Sequence, residues 1–334
     1  MRSSFRRIFF LSFIVTILIV TPMVVANAAS EMENAGVVSS EDDLMDTSHF
    51  IEKYYIYDEE TGTLIEVPCR PARSFNMDTS APVVIDYVYD EETGEWEEVI
   101  YTLDEASTDL YLIDNDNRFE VVNSTRFPYC TMVELIVTHR DASGVYQDTL
   151  GSGVLVGDRT VLTAGHNVCS KNYGEAVKIQ VTPGGRASTS NRYYADSFLA
   201  ASEWLDNFED NYDYAVIHLE ESPNVGYLET KVLSTATLET KSFIAYGYPG
   251  DKPRRGILWR TAASDQYLDT VSTNLFQFRG YVSGGMSGGP IVCSDDTETV
   301  VGILKGQKSV GPGYRGAVFT RITSSIQNLI EQMS

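Results

Sequence analysis

Along most of this chain, apolar and polar positions alternate in short runs that are broken by turn residues. Thr131 to Thr138, Gly153 to Val156, Ala176 to Val181 and Tyr214 to Leu219 read as strands. So do Ser242 to Tyr248, Asn274 to Phe278, Ile291 to Cys293, Val300 to Leu304 and Ala317 to Thr320. Turn residues such as Pro183-Gly184-Gly185, Pro249-Gly250-Asp251 and Gly311-Pro312-Gly313 separate them. Many short strands of this kind predict an all-β barrel or sandwich. Only Ser324 to Gln332 has helical spacing, with Ile326, Leu329 and Ile330 on one face, and it predicts a helix that caps the domain.

Nearer the N-terminus a period-two pattern occurs twice. Tyr55-Ile56-Tyr57-Asp58-Glu59-Glu60-Thr61-Gly62 returns as Tyr87-Val88-Tyr89-Asp90-Glu91-Glu92-Thr93-Gly94, and Glu66-Val67 and Glu98-Val99 follow at the same offset. Each copy predicts a β-hairpin with glycine in the turn, the alternative being a partly disordered spacer. The chain opens on Arg2, Arg6 and Arg7, continues with the apolar run Ile8 to Val20, and reaches Ala26-Asn27-Ala28. These are the parts of a secretory signal, so residues 1–28 are expected to be removed on export; an uncleaved membrane anchor is the rival reading.

Charge divides the remainder. The net charge of −22 is concentrated between Ala29 and Leu110, which carry 22 acidic and 3 basic side chains, whereas residues 111–334 carry 25 and 19. The expected organisation is therefore a leader (1–28), an acidic segment with two hairpin-like repeats (29–110) and a main domain (111–334). No basic cluster suggests nucleic-acid binding. Of the four cysteines, Cys69 lies in the acidic segment; Cys130, Cys169 and Cys293 lie in the main domain. Cys130 with Cys169 is a candidate bridge, and Cys293 reads as a buried core thiol. None has a neighbour at zinc-ligand spacing.

The candidate chemistry lies in three segments. In Gly284-Gly285-Met286-Ser287-Gly288-Gly289-Pro290 a serine stands on a turn nearly free of side chains, where substrate can approach and N–H groups can face a developing oxyanion. His166 follows Ala164 and Gly165 directly after the apolar run Val161-Leu162-Thr163, a place where an imidazole can take a proton from a serine. Asp213 opens the apolar run from Tyr214 to Leu219, and a carboxylate there needs a specific partner; holding the second nitrogen of His166 fits. His49, His139 and His218 read as structural.

With Thr163-Ala164-Gly165-His166, Tyr212-Asp213-Tyr214-Ala215 and the glycine-flanked Ser287 in that order, residues 111–334 resemble the chymotrypsin-like serine endopeptidases. They resemble most closely the bacterial secreted branch that includes the glutamyl endopeptidases. Asp116-Asn117-Arg118, Phe127-Pro128-Tyr129, Gly247 to Lys252 and Gly316-Ala317-Val318-Phe319 fit as well. The resemblance implies two six-stranded antiparallel β-barrels with the site in the cleft between them. It implies Ser287 as nucleophile, His166 as general base and acid, Asp213 as its partner, and the N–H groups of Gly285 and Ser287 as the oxyanion hole. Met286 stands where the digestive relatives carry the aspartate that pairs with a new N-terminus on activation, so that switch is unavailable. The acidic segment is expected instead to mask the cleft or assist folding, and to be removed near Leu110-Tyr111.

Specificity departs from the relatives. The resemblance maps the primary pocket onto Tyr281, Val282, Ser283, Leu304, Lys305 and Gly306. Glutamyl endopeptidases place a threonine or serine at the position of Val282 and a histidine at that of Leu304, and neither residue here can donate to a carboxylate. Tyr281 stands where trypsins carry their aspartate. An apolar or mixed preference at P1 is therefore expected, with glutamyl specificity as the alternative and an inactive secreted binding homologue behind it. The implied mechanism needs no cofactor, and the acidic loop Asp206 to Asp213 matches no defined calcium site. Expected partners are protein or peptide substrates met by an extracellular monomer, without stable membrane association.

Overall fold

The computed structural model describes residues 49–59, 61–69, 82–90, 93–102, 116–185, 191–263, 268–309 and 315–334, all within one compact unit, Leu44–Ser334. The leader and the Leu110-Tyr111 junction lie outside the described residues.

Both acidic repeats form antiparallel hairpins. Strand β1 (Lys53–Asp58) pairs with β2 (Thr63–Pro68), and β3 (Val83–Asp90) pairs with β4 (Glu95–Thr102). Their turns share one construction. Gly62 and Gly94 take φ of +66° and +76°, where a Cβ is disfavoured, and each returns its N–H to the carbonyl of Asp58 or Asp90. The hairpins cover different surfaces. Strand β1 lies parallel to β11 (Tyr193–Ala201), with Tyr55 opposite Leu199, and buries Tyr54 and Tyr57 against the core. Tyr214 also donates its hydroxyl proton to Glu59.

After the short strand β5 (Phe119–Glu120), six strands close into an antiparallel barrel in the order β6 (Met132–Arg140), β7 (Tyr146–Leu155), β8 (Thr160–Thr163), β12 (Ala215–Leu219), β11 and β10 (Gly174–Pro183). The two-residue strand β9 (Cys169–Ser170) adds to the start of β10. Inside the barrel lie Val133, Leu135, Val137, Val161, Ile179, Phe198 and Ile217, all fully buried. Each stabilises by about 1.5–3 kcal/mol relative to exposure.

The second half begins with β13 (Glu229–Thr230). It contains β14 (Phe243–Gly247), β15 (Trp259–Arg260), β16 (Leu268–Thr270), β17 (Leu275–Arg279), β18 (Pro290–Cys293), β19 (Asp296–Ser309) and β20 (Arg315–Arg321). Among the described residues these run in the order β16, β17, β20, β19, β18, β14, β15 and β5. Phe243, Phe276, Phe278 and Phe319 form their aromatic core, with ring centroids 5.4–6.1 Å apart. The helix Ser324–Gln332 starts where expected. The Thr323 hydroxyl accepts the N–H of Ile326, and Ile326, Leu329 and Ile330 are buried. None of the described helices is long and apolar enough to cross a membrane.

The cysteines correct one expectation. All four are free thiols, so Cys130 and Cys169 form no bridge. The Cys130 thiol faces the carbonyl of Val225, whereas Cys169 packs with Val83, Tyr87 and Trp204 on another part of the barrel. Cys293 is buried in the core of the second half, as read from its apolar strand.

Candidate active site

The bare turn around Ser287 has a steric origin. Gly285 and Gly288 take φ of +87° and +82°. A Cβ on Gly289 would strike the carbonyl of Tyr246, and one on Gly285 would come within 2.6 Å of the Tyr248 oxygen. The turn is pinned from the first barrel. Ser152 donates its hydroxyl to the Gly285 carbonyl (2.7 Å), while the Ser152 N–H and Asn167 Nδ2 both reach the Ser287 carbonyl at 2.9 Å. Among the described residues, neither the Gly285 nor the Ser287 N–H donates to a protein acceptor.

His166 sits in the single helical turn Gly165–Val168 that follows β8, and Asp213 immediately precedes the segment leading into β12, which pairs with β8. This pairing brings the two together. Asp213 Oδ1 accepts the His166 N–H at 2.9 Å, and Nδ1 lies 2.9 Å from Oδ2. Both side chains are fully buried. The imidazole Nε2 makes no hydrogen bond, and the Ser287 hydroxyl donates to the Lys305 carbonyl at 3.1 Å.

A fourth side chain completes the group. Lys305, also fully buried, places Nζ 2.7 Å from Asp213 Oδ2 and 3.2 Å from Asp210 Oδ1. Burial by itself would raise the Asp213 pKa. The charges of His166 and Lys305 and their hydrogen bonds more than reverse this and hold the carboxyl well below its usual range. Position 305 was read as pocket lining, but the ammonium turns towards Asp213. Its signal in sequence is a lone cation in the apolar run Val300-Val301-Gly302-Ile303-Leu304, which has to find buried partners.

The other residues mapped to the primary pocket are also engaged. Val282 and Leu304 are 1% exposed and pack in the apolar core of the second half. The Ser283 hydroxyl donates to Asp251 at 2.7 Å and accepts from Arg118 at 2.6 Å. Tyr281 lies under the Arg118 guanidinium, 4.6 Å away. Arg118 is itself buried, bonded to Asp116 at 2.8 Å and to Asp251 at 2.5 Å, and 3.7 Å from the Met286 sulfur. An internal ion pair thus stands beside the Ser287 turn. Replacing Arg118 with Met is expected to cost about 3–5 kcal/mol of stability, because Asp251 would be left buried and charged. Urea unfolding of the full-length chain measures it.

Gly306 and the cleft around it are covered by the second hairpin. Strand β3 pairs in parallel with β7 (Val83 opposite Thr149, Val84 opposite Leu150) and with β19 (Val88 opposite Gln307). It therefore runs from one half to the other. Val84 and Tyr101 lie so close to Gly284, and the Tyr87 carbonyl so close to Gly306, that neither glycine could carry a side chain. Tyr87 stacks on His166 with centroids 4.5 Å apart, and Gln307 donates to Asp86 at 2.6 Å. From β4, Glu98 accepts from Tyr87, Ser170, the Lys171 N–H and Asn172. In this arrangement His166 and Ser287 are 0% and 2% exposed.

The remaining histidines all have partners elsewhere. His49 meets Glu220, and His218 meets Asp196. His139 lies between the Gly174 carbonyl and Thr149, and burial pulls its pKa down to about 4.

Residues 151–303 match the model of the trypsin-like peptidase domain. Over 247 residues the chain is 30% identical to the "Extracellular metalloprotease" of Bacillus subtilis, covering 71% of this chain and 72% of that protein. Over 195 residues it is 28% identical to the glutamyl endopeptidase of Bacillus licheniformis, covering 56% of each. In fold it is similar to a Glu endopeptidase solved in complex with MPD (TM-score 0.55, 22% identity, 66% of this chain and 98% of that one). A thermostable serine protease, AL20, is similar at a TM-score of 0.51 and 19% identity, over 61% of this chain and 96% of that one. The chain belongs to the trypsin-like peptidase family, and it is a serine protease of chymotrypsin-like fold that resembles the glutamyl endopeptidases.

The name of the Bacillus subtilis relative speaks of a metal for that protein. The donors around His166, among the described residues, do not fit one. Among the described residues no three His, Cys, Asp or Glu side chains gather where they could hold a metal ion. Asp213 Oδ2, the nearest carboxylate oxygen to the imidazole, is already held by the Lys305 ammonium.

Proposed function

We propose that this chain is a secreted serine endopeptidase, made as a precursor, whose catalytic residues are Ser287, His166 and Asp213. The fully buried His166–Asp213 pair, set on the first barrel opposite the bare serine turn of the second half, carries this reading. Once substrate has access, Ser287 Oγ attacks the scissile carbonyl and its proton passes to His166 Nε2. Asp213 fixes the tautomer through Nδ1 and stabilises the imidazolium. The oxyanion is received by the Gly285 and Ser287 N–H groups, each worth about 3–4 kcal/mol of barrier. His166 then protonates the departing amine. Water, activated by the same imidazole, attacks the acyl-enzyme, and the acyl carbon–Oγ bond breaks to release the acid and return the proton to Ser287.

Export is supported by the leader pattern in residues 1–28 and by a relative whose name is extracellular. The second hairpin, lying across the cleft, supports the reading of residues 29–110 as a masking segment. For the primary pocket the apolar or mixed preference is favoured. Val282 and Leu304 offer no donor, and the Ser283 hydroxyl is already committed to Asp251. A buried glutamate side chain without donors binds poorly. A peptide-library profile of the converted enzyme is expected to show apolar residues leading at P1. Dominance of Glu would transfer the specificity of the glutamyl relatives to this chain and end the apolar reading.

A further inference from the structure

We propose that Lys305 is a positioning residue that joins the catalytic pair to the second hairpin: its ammonium clamps Asp213 during catalysis, and in the precursor it is the cation over which the hairpin's aromatic rings close. The inference rests on the serine-protease reading above and adds to it a residue and a recognition element.

Lys305 touches both ends of the candidate triad. Its carbonyl accepts the Ser287 hydroxyl at 3.1 Å, while its side chain reaches Asp213 Oδ2 at 2.7 Å. That carboxylate oxygen is also 2.9 Å from His166 Nδ1, so ammonium and imidazole share one acceptor. The remaining faces of the ammonium meet aromatic rings: Tyr87 at 4.6 Å, Trp96 at 5.1 Å and Trp204 at 5.2 Å. Trp204 belongs to the first barrel, whereas Tyr87 and Trp96 belong to the hairpin. A desolvated ammonium is attracted by such ring faces, and this one becomes partly open to water when the hairpin leaves. Tyr87 meanwhile covers His166, so one ring contacts both the base and the cation beside its carboxylate.

Among the described residues, the charged and titratable groups facing this centre are few. Asp213 and Asp210 come from the loop before β12. From the hairpin come the Tyr87 phenol and, through its hydrogen bond, Glu98. After conversion only His166, Lys305 and the two aspartates remain of these. Lys305 is one of the groups that hold the Asp213 carboxyl ionised, so removing it raises the pH at which Asp213 stops supporting the imidazole. The acid limb of kcat/KM then moves to higher pH.

The test uses the full-length chain before and after conversion by an added endopeptidase. Reaction of Ser287 with a fluorophosphonate and the pH dependence of kcat/KM are the readouts. In the converted enzyme, Lys305→Met is expected to move the acid limb upward by about one pH unit and to lower kcat roughly 10-fold, while Lys305→Arg keeps the limb near its original position. In the precursor, Lys305→Met and the hairpin variant Tyr87→Leu are each expected to narrow the labelling ratio between converted and unconverted chain about 10-fold. The double variant should add little to either one. An unmoved acid limb overturns the positioning role, because loss of packing alone would lower kcat without moving the limb. Independent, additive effects of the two variants on the ratio overturn the recognition role. Should Lys305→Met fail to fold, Lys305→Arg and Tyr87→Leu carry the test: a limb displaced by Arg, or a ratio unchanged by Leu, overturns the proposal. If wild-type Ser287 is labelled in neither form, it is the serine-protease reading that falls.

Discussion

Alanine at Ser287 is expected to reduce peptide hydrolysis by the converted enzyme by about 10⁴–10⁶-fold, with KM changed far less than kcat. The serine is asked to supply the bond-forming oxygen itself, and no neighbouring group can take its place. Lys305 lies behind Asp213, and the Ser152 hydroxyl, which bonds to the turn, is held by the Gly285 carbonyl. What survives the substitution should be the modest rate that an intact oxyanion hole and substrate binding still provide. The comparison is made on the same peptide with both proteins converted identically. Activity within about tenfold of wild type would remove Ser287 from the reaction and, with it, the reading of the site.

The second large effect concerns access. The unconverted chain is expected to react with a fluorophosphonate at least about 100-fold more slowly than the converted one, which corresponds to an open fraction of about one per cent or less. The physical reason is the hairpin's double attachment. Strand β3 pairs with β7 on one side and β19 on the other, Glu98 collects donors from residues 170–172, and Gln307 holds Asp86. Opening requires these contacts to break together. Equal labelling before and after conversion would mean that the hairpin leaves the cleft freely.

Much of the site was legible because its parts are locally encoded. A glycine-flanked serine, a histidine after small residues and an aspartate opening an apolar strand are each visible within seven residues. The barrel strands and the capping helix were legible from periodicity for the same reason, and the Glu-Thr-Gly repeats from the turn chemistry of Gly62 and Gly94. What escaped is what the fold brings together over distance. Nothing around Tyr87 says that its ring will lie on His166, and nothing around Asn167 says that its amide will hold the Ser287 carbonyl. Lys305 was noticed but aimed at the pocket, since strand alternation gives a side chain's face without its partner. Cys130 and Cys169 failed as a pair for a related reason, because spacing along the chain carries no measure of how far apart two thiols lie across a barrel.

The bonds that hold Ser287 to the first barrel also define which residues can be inherited separately. Ser287 is encoded in the second half, yet its carbonyl is gripped by Ser152 and Asn167. A side chain at Gly151 would displace the Asn167 amide, and one at Gly288 would strike Thr163 and the Ser152 carbonyl. Gly151, Asn167 and Gly288 therefore form a single unit of exchange across the cleft. A chimaera that joins one half of this protein to the other half of a relative must carry all three together, or Ser287 arrives without its mooring.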